Sequence, residues 1–322
     1  MNYIGKNISK LYKVKGGYPM TIIKTMNLTK KFGKFTALDG VNIEVNKGEV
    51  FGFIGPNGAG KSTTIRVLLG MLKATSGEAK IFGKDAWKDA IEIHKKIAYV
   101  PGDVNLWPNL SGGEVIDLFL RMRGNGSANR RDEMIERFNL DPRKKCRTYS
   151  KGNRQKVALI AAFAADADLY ILDEPTSGLD PLMENIFQEC VQEVKDRGKS
   201  VLLSSHILSE VEKLCDKVAI IRQGKIIETG TLNELRHLTR TNLVIQTREP
   251  LPHLHEVKGV HNLQENGSEL KFQVDTEELD TVIRYISPFG ILKLESAPPT
   301  LEDLFMRHYQ GAANHYKDSV GG

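Results

Sequence analysis

The segment GPNGAGKST, residues 55–63, constrains the fold of this chain more than any other stretch. It fits the pattern G-x-x-x-x-G-K-[ST] and lies between an apolar run, EVFGFIG (49–55), and a run with helical spacing, KSTTIRVLLGML (61–72). Between a strand and a helix, such glycines let the backbone turn tightly, so that N–H groups point at phosphate oxygens and the helix adds its positive end. We therefore predict a nucleoside triphosphate site made of Gly55, Pro56, Asn57, Gly58, Ala59, Gly60, Lys61, Ser62 and Thr63.

Individual side chains in and near this segment have distinct expected roles. Lys61 is expected to reach the β- and γ-phosphates, Ser62 to hold Mg²⁺, and Thr63 to support the α-phosphate side. The acidic partner follows in DLYILDEPTSGLD, where Asp173 ends a hydrophobic run and can bind in the Mg²⁺ shell. Glu174 comes next and is the natural general base for an attacking water.

Further apolar runs predict buried strands: IAYV (97–100), LYILD (169–173) and VLLSS (201–205). His206 directly follows the last run, which places it at the carboxyl edge of the sheet, within reach of a γ-phosphate. Strands alternate with helices from residue 20 to about residue 230. This alternation predicts an α/β domain with a mostly parallel sheet and helices packed on it.

Two regions flank this domain. Residues 1–19 carry four lysines and no acid, and we interpret them as an N-terminal extension upstream of the true start at Met20; the alternative is a basic tail that touches anionic lipid. Residues 231–322 are predicted to form a small accessory α+β domain with a flexible tail. The runs that indicate this domain are three strand-like segments and one helical segment: NLVIQT, ELKFQVD, GILKLESA and TEELDTVIRYIS.

The composition excludes several classes of protein. The chain has 45 basic and 40 acidic residues, a net charge of +5, which is too weak a bias to make nucleic acid its main partner. Its three cysteines, Cys146, Cys190 and Cys215, form no CxxC pair, so we expect a reducing compartment and no structural metal. No apolar stretch approaches the roughly 20 residues of a spanning helix, so we expect a cytoplasmic chain that reaches a membrane through a partner.

Taken together, these residues resemble the nucleotide-binding subunits of ABC transporters, from about Ile22 to Gly230. In that family's terms, residues 55–63 are a Walker A motif, Asp173 and Glu174 end a Walker B motif, and His206 is the switch histidine. A D-loop follows, made of Ser177, Gly178, Leu179 and Asp180.

The resemblance implies the rest of the architecture. We expect a P-loop NTPase core with a mostly parallel sheet, an antiparallel β subdomain and a helical subdomain at about 103–165, within an ABC ATPase domain at 20–230. ATP and Mg²⁺ are the implied cofactors. The family forms a head-to-tail dimer, here of identical chains or with a related ATPase subunit, in which each ATP lies between one subunit's P-loop and the other's signature motif.

Two segments compete for the signature motif, which is LSGGQ in the family and opens a helix shortly before the Walker B strand. PNLSGGEVIDLF (108–119) is the better match in letters, but Ser111 lies 62 residues before Asp173. Its Ser111-x-x-Glu114 pattern predicts a helix-capping box instead. YSKGNRQKVAL (149–159) has the right position, 23 residues before Asp173, and the predicted signature is Ser150, Lys151, Gly152 and Asn153.

Two other positions depart from the family pattern. The family has a glutamine after the strand that reads IAYVP here, whereas this chain has Gly102 followed by Asp103. Asp103 is a candidate to take over the metal-side contact, because a carboxylate is a hard oxygen ligand. The aromatic ring that stacks on adenine is usually a tyrosine; Phe32 stands at that place, and Phe35 is the nearby alternative.

The function that the resemblance implies is that of an ATP-hydrolysing subunit of a two-component ABC transporter, an exporter of drugs, antibiotics or other amphiphiles. A separate transmembrane permease would be its partner and would hold the chain peripherally on the cytoplasmic face of the membrane. The alternative is an ATP-binding regulatory or resistance module with little turnover, since Gly102 and the signature depart from the family. Retention of Glu174 and His206 favours hydrolysis.

Overall fold

The computed structural model describes residues 20–124, 128–237 and 240–297. The interpretation of residues 1–19 as an extension and the expectation of a flexible C-terminal tail fall on residues outside these ranges.

Within the described ranges the chain forms fifteen strands and nine α-helices. The strands are β1 (Thr21–Phe32), β2 (Phe35–Val41), β3 (Glu44–Asn46), β4 (Val50–Ile54), β5 (Ser76–Ile81), β6 (Lys84–Asp85), β7 (Ile97–Val100), β8 (Leu169–Asp173), β9 (Ser200–Ser205), β10 (Lys217–Arg222), β11 (Lys225–Thr231), β12 (Thr241–Thr247), β13 (Val260–Asn266), β14 (Glu269–Val274) and β15 (Ile291–Ala297). The helices are α1 (Lys61–Leu68), α2 (Ala90–His94), α3 (Gly112–Arg123), α4 (Ala128–Arg137), α5 (Lys151–Phe163), α6 (Pro181–Asp196), α7 (Leu208–Leu214), α8 (Leu232–His237) and α9 (Leu279–Ile286).

The expected mostly parallel sheet is present. Six strands lie in the order β11-β10-β4-β9-β8-β7, and β7, β8 and β9 run parallel. Every residue of β4, β8 and β9 is buried, which agrees with their continuous apolar sequences, since strands covered on both faces need no polar alternation. The parallel register places Asp173 beside Ser204 at the carboxyl ends of β8 and β9.

An antiparallel sheet precedes the P-loop and continues after α1, as the resemblance implied. Its strands lie in the order β2-β1-β5-β6, with β3 also paired to β1. The hairpin between β1 and β2 ends in the pair Phe32 and Phe35, joined by a turn at Gly33 with φ 57°. Positive φ costs glycine little, which explains this residue at the turn.

Helix α1 ends earlier than predicted. The sequence pattern extended it to residue 72, but its last helical residue is Leu68. Gly70 has φ 65°, and a Cβ at this position would lie 2.6 Å from the carbonyl oxygen of Ala86. The chain therefore leaves the helix through a left-handed glycine that packs against a segment far along the sequence.

Helices α3, α4 and α5 fall in the region expected to be helical. Arg131 of α4 pairs with Asp117 of α3 at 2.6 Å, while Arg130 and Arg137 pair with Glu193 of α6 at 2.9 and 2.6 Å. These groups are partly exposed, so each pair contributes little to stability alone and mainly fixes the position of α4.

The described residues cluster into two compact units. One comprises 20–51, 55–124, 128–204 and 221–226, and the other comprises 52–54, 205–220, 227–237 and 240–297. The second contains a four-stranded antiparallel sheet in the order β13-β14-β12-β15. Its apolar core is formed by Leu243, Ile245, Leu254, Phe272, Val274, Val282 and Ile286.

The α+β character of this second sheet and its helix was predicted, but β13 was not. The burial pattern of β13 is largely exposed, and its sequence, VHNLQEN, lacks a clean apolar alternation. It forms because its backbone pairs with β14, a contact that no local pattern encodes. None of the helices in the described ranges has the length and hydropathy needed to cross a membrane.

Candidate nucleotide site

The P-loop turn requires its glycines. Gly58 and Gly60 have φ 80° and 117°, a region that L side chains rarely adopt. A Cβ at Gly60 would lie 2.9 Å from Leu38 Cδ2, and one at Gly55 would lie 2.4 Å from the carbonyl oxygen of Ile221. Gly60 is also the N-cap of α1, so the turn delivers the chain directly into the first helical turn.

Lys61 is the first residue of α1, and its side chain is 5% exposed. Its ammonium donates to the carbonyl oxygens of Gly55 at 2.5 Å and Pro56 at 3.3 Å, and lies 3.1 Å from Glu174 Oε1. The cation is thus held inside the turn and against the carboxylate predicted to be the general base. Ser62 and Thr63 follow on the same turn, both half-buried.

The acidic pair lies at the end of β8. Asp173 is 4% exposed and accepts a hydrogen bond of 2.5 Å from the Ser204 hydroxyl. Glu174 has φ 50°, and its N–H donates to the Ser204 carbonyl oxygen at 3.0 Å. A glutamate in the left-handed region is strained, and such strain persists where surrounding contacts hold the residue in place. The turn directs Glu174 to Lys61, while Asp173 stays in the sheet.

Tyr99 of β7 and Gly102, which follows this strand, lie near Asp173. Burial and the negative charge of Asp173 raise the pKa of Tyr99 to about 12, so this phenol stays neutral at physiological pH. A Cβ at Gly102 would lie 3.2 Å from the carbonyl oxygen of Asp173 and 3.6 Å from Glu174 Cβ. Asp103 is exposed, and its carboxylate accepts from the Asn105 amide at 3.4 Å.

The predicted signature forms the start of α5. Ser150 is the N-cap, and its hydroxyl accepts from the N–H of Asn153 at 3.2 Å. The first turn of α5 contains no acidic residue. Within the described part of the chain, the N–H groups of Lys151 and Gly152 donate to no acceptor. This helix start therefore presents two donors and a cation without an internal anion.

The start of α5 packs against the predicted D-loop of the same chain. Lys151 Nζ donates to Ser177 Oγ at 2.7 Å, and a Cβ at Gly152 would lie 2.3 Å from the carbonyl oxygen of Gly178. The N–H of Leu179 donates to the Thr176 carbonyl oxygen at 3.0 Å. Asp180 accepts from the N–H of Met183 at 3.0 Å and so caps α6, a structural role for the last residue of the D-loop.

The other candidate, SGGE at the start of α3, is the predicted capping box, and this prediction is confirmed. Ser111 Oγ accepts from the N–H of Glu114 at 3.2 Å, and Glu114 Oε2 accepts from the N–H of Ser111 at 2.6 Å. The N–H groups of Gly112 and Gly113 donate to the carbonyl oxygens of Lys144 and Pro142. All four backbone N–H groups of this turn therefore have acceptors within the protein.

The remaining predicted site residues lie on turns. Phe32 and Phe35 are 47% and 65% exposed, so both rings are accessible, and the Lys30 ammonium lies 5.0 Å from the centre of the Phe32 ring. His206 is exposed and directly follows β9. The next turn is fixed by Ser205 Oγ, which accepts from the N–H of Ile207 and donates to buried Glu210 at 2.7 Å.

Sequence reasoning missed three residues that shape the site: Tyr99 and Ser204, which lie beside Asp173, and Gln155. Gln155 is 1% exposed, and its amide donates to the Pro175 carbonyl oxygen at 2.9 Å. A usable signal existed for Ser204, because VLLSS ends in hydroxyl residues at the carboxyl end of a parallel strand. Tyr99 and Gln155 gave no such signal, since each lies near or contacts a residue that is distant in the sequence, Asp173 and Pro175 respectively.

The sequence of this chain matches known proteins along most of its length. The protein YhaQ of Bacillus subtilis (strain 168), described as an uncharacterized ABC transporter ATP-binding protein, is 33% identical over 288 residues, which cover 87% of this chain and 96% of YhaQ. This chain belongs to the ABC transporter ATP-binding proteins. The profile of the family described as ABC transporter matches residues 38–177, and that of the DrrA1-3-like ATP-binding protein C-terminal domain matches residues 230–309.

Two further relatives carry names of antibiotics. The bacitracin transport ATP-binding protein BcrA of Bacillus licheniformis is 32% identical over 302 residues, covering 89% of this chain and 97% of BcrA. The linearmycin resistance ATP-binding protein LnrL of Bacillus subtilis (strain 168) is 32% identical over 308 residues, covering 88% of this chain and 97% of LnrL.

A solved structure connects the fold to nucleotide. The dimeric post-hydrolysis state of the ATP-binding cassette MJ0796, bound to ADP and Pi, aligns with a TM-score of 0.60 and 26% identity, covering 66% of this chain and 99% of that cassette. This chain is thus an ATPase of the ABC family with a P-loop NTPase core. Cassettes of this family bind ATP and ADP, form dimers and work with membrane permease subunits.

Proposed function

We propose that this chain is the ATP-hydrolysing subunit of a two-component exporter, in which ATP-driven closure of a dimer powers a separate membrane permease. One observation carries the proposal: the ammonium of Lys61 lies 3.1 Å from the carboxylate of Glu174, next to the buried Asp173. This arrangement supports the assignment of a phosphate-binding cation, a general base and a metal-binding carboxylate to one edge of the parallel sheet.

The chain's residues divide the work of hydrolysis between binding and proton transfer. Lys61 donates to the β- and γ-phosphate oxygens together with the P-loop amides, which draws its ammonium from Glu174. The freed carboxylate of Glu174 accepts a proton from the attacking water. His206 interacts with the γ-phosphate, and Phe32 stacks on the adenine through its exposed ring.

Mg²⁺ would supply charge neutralisation on the phosphate oxygens, with Ser62 and Asp173 as its protein ligands. Hydroxyl and carboxylate oxygens are the donors this ion prefers, and it keeps several ligands from water and phosphate. The hydroxyl of Ser204, which donates to Asp173 Oδ1, fixes the orientation of that carboxylate. Asp103 is a further candidate, because it lies on the exposed loop after Gly102, which itself packs against Asp173.

The second half of each ATP site would come from the facing subunit. The Ser150 hydroxyl, the Lys151 and Gly152 amides, and the Asn153 side chain would donate to the γ-phosphate of the ATP on the other P-loop. A homodimer meets this need with one kind of chain, and pairing with a related ATPase subunit meets it equally. Nucleic acid is not a proposed partner, because the net charge is only +5.

The permease and cargo are inferred from the relatives. BcrA is named for bacitracin transport and LnrL for linearmycin resistance, and both align along nearly their whole length. We infer an exporter of antibiotics or similar amphiphiles, with this chain held at the cytoplasmic face of the membrane by its permease. The region around 103–165, including the loop after Gly102, would contact the permease.

The test compares the steady-state ATPase rate of the purified full chain with that of Glu174→Gln, with and without Mg²⁺. Loss of the general base should lower kcat about 100- to 10,000-fold, because proton transfer to a positioned base contributes roughly that factor. Glu174→Gln should still dimerise when ATP is added, as measured by size-exclusion chromatography with light scattering. Glu265→Gln, a matched change at an exposed position of β13, should turn over at the wild-type rate.

The competing function is an ATP-binding module with little turnover, which the glycine at position 102 and the altered signature favour. It predicts that wild type and Glu174→Gln bind ATP equally and that both remain inert, also when a permease is supplied in proteoliposomes. Mg²⁺-dependent turnover that Glu174→Gln abolishes would exclude this alternative.

A further inference from the structure

We propose that Lys151 is a positioning residue that couples the two nucleotide sites of the dimer through Ser177. This inference rests on the proposed function, in which a chain's signature turn holds the partner's ATP while its Glu174 acts on its own ATP. The geometry assigns to Lys151 the link between these two parts of one chain.

The side chain of Lys151 spans the gap between the two motifs. Its Nζ donates to Ser177 Oγ at 2.7 Å, and its Cγ and Cδ lie 3.5 Å from where a Cβ of Gly178 would be. The methylene stem thus packs over a backbone that has no side chain of its own. Glycine, which the family has at position 151, could make neither contact.

Two neighbouring contacts bind the same elements together. Gly152 lies so close to the carbonyl oxygen of Gly178 that a Cβ would come within 2.3 Å of it. The buried amide of Gln155, one turn further along α5, donates to the Pro175 carbonyl oxygen at 2.9 Å. The first turns of α5 and residues 175–178 therefore move as one body, and residue 175 directly follows Glu174.

Helix stability does not explain a lysine at this position. Lys151 is the first residue of α5, where the positive end of the helix disfavours a cation, and no acidic residue in that turn compensates. Its ammonium instead finds its acceptor on the D-loop, in Ser177. A residue that is unfavourable for its own helix but bonded to another motif is the pattern expected of a functional contact.

The consequence is coupling between sites. When the dimer closes and the ATP of the facing subunit reaches Ser150 and Lys151, residues 175–178 shift. This shift is transmitted to the strained turn at Glu174. Occupancy of one site thus biases the geometry of the other, so that ATP binding at the two sites shares a coupling free energy and becomes cooperative.

The test is the dependence of ATPase rate on ATP concentration for purified full chains carrying Lys151→Met, Lys151→Arg or Ser177→Ala. Lys151→Met keeps the aliphatic stem and removes the donor, whereas Lys151→Arg keeps a cationic donor. A two-site dimer can reach a Hill coefficient of about 2. We expect Lys151→Met and Ser177→Ala to move the coefficient towards 1, Lys151→Arg to restore most of it, and the double variant Lys151→Met/Ser177→Ala to be no worse than either single one.

The control is Lys73→Met, the same change at an exposed lysine outside the site, which should keep the wild-type coefficient. The inference is overturned if wild type hydrolyses ATP without cooperativity, if Lys151→Met keeps the wild-type coefficient, or if the two single changes add in the double variant. Should the wild-type chain neither hydrolyse ATP nor dimerise with it, the proposed function fails first. The two failures are therefore distinguishable.

Discussion

The helix starts at Ser111 and Ser150 have similar sequences and opposite chemistry. At α3, Glu114 folds back on the N–H of Ser111, and the glycine amides donate to loop carbonyl groups. Ser111 is 8% exposed, so this turn is closed and self-neutralised. At α5, Ser150 and Lys151 are exposed, and the first turn carries a cation and no acid.

The difference illustrates that a helix start whose backbone N–H groups already have acceptors within the protein has none left for an external anion. The four leading N–H groups of a helix need acceptors, and a glutamate three residues after the cap supplies one internally. The start of α3 uses its donors for stability. The start of α5 leaves donors that we propose bind a phosphate, although its sequence matches the LSGGQ motif less well.

The largest expected effect comes from giving the start of α5 an internal carboxylate like the one that caps α3. Asn153→Glu would create the Ser150-x-x-Glu pattern of a capping box and place a negative charge where we propose a phosphate binds. ATPase activity should fall about 100-fold, the scale seen when a key anion-stabilising donor is lost. The free energy of unfolding should rise by about 0.3–1 kcal/mol, because a carboxylate suits the first turn of a helix.

Asn153→Gln lengthens the same side chain without charge and should lose far less activity than Asn153→Glu. Activity would be followed by phosphate release and stability by urea denaturation. A glutamate at position 153 that leaves both ATPase activity and ATP-driven dimerisation intact would contradict the proposed role of this turn.

An intermediate effect is expected from removing each cap hydroxyl in turn. Ser111→Ala and Ser150→Ala should each lower the free energy of unfolding by about 1 kcal/mol, since both hydroxyls cap a helix. Only Ser150→Ala should also lower the ATPase rate of the folded chain, because only that hydroxyl has a proposed second role. Equal loss of activity per folded molecule in both variants would erase the distinction between the two starts.

The smallest expected effect concerns pH. Hydrogen bonds from the backbone N–H and side chain of Ser111, followed by the hydrogen bond and the charge of Lys145, hold the pKa of Glu114 below its ordinary value of 4.5. A lowered pKa stabilises the fold fully above the ordinary value, and the contribution disappears as pH falls through the folded-state value. The difference in melting temperature between wild type and Glu114→Gln should therefore be constant from pH 7 to about pH 5.5 and shrink below pH 4.5.

Scanning calorimetry over this range would measure that pH dependence. Glu265→Gln is the matched control, since it is the same change at an exposed position of β13 outside the capping box. A wild-type to Glu114→Gln difference that grows on acidification would show that the capping carboxylate is not stabilised as its contacts indicate.

The elements that could be predicted from the sequence are those that depend on nearby residues. Strand β8 and the parallel strand β7 were predicted with their observed limits, because strands buried on both faces read as short uninterrupted apolar runs that are too brief for a helix. The capping box at Ser111 was equally predictable, since both of its hydrogen bonds join residues three apart. The family's motifs and their spacing then predicted which residues form the proposed nucleotide site.

Only the tertiary structure decided how those residues meet. The ion pair of Lys61 with Glu174, the left-handed backbone of Glu174 and the hydrogen bond from Lys151 to Ser177 all join segments distant in sequence or depend on such contacts. The same holds for the early end of α1 at Leu68, set by packing beyond it. Periodicity and spacing record what each segment buries, whereas these contacts depend on which strands lie side by side and in what register, and that is fixed only when the whole sheet assembles.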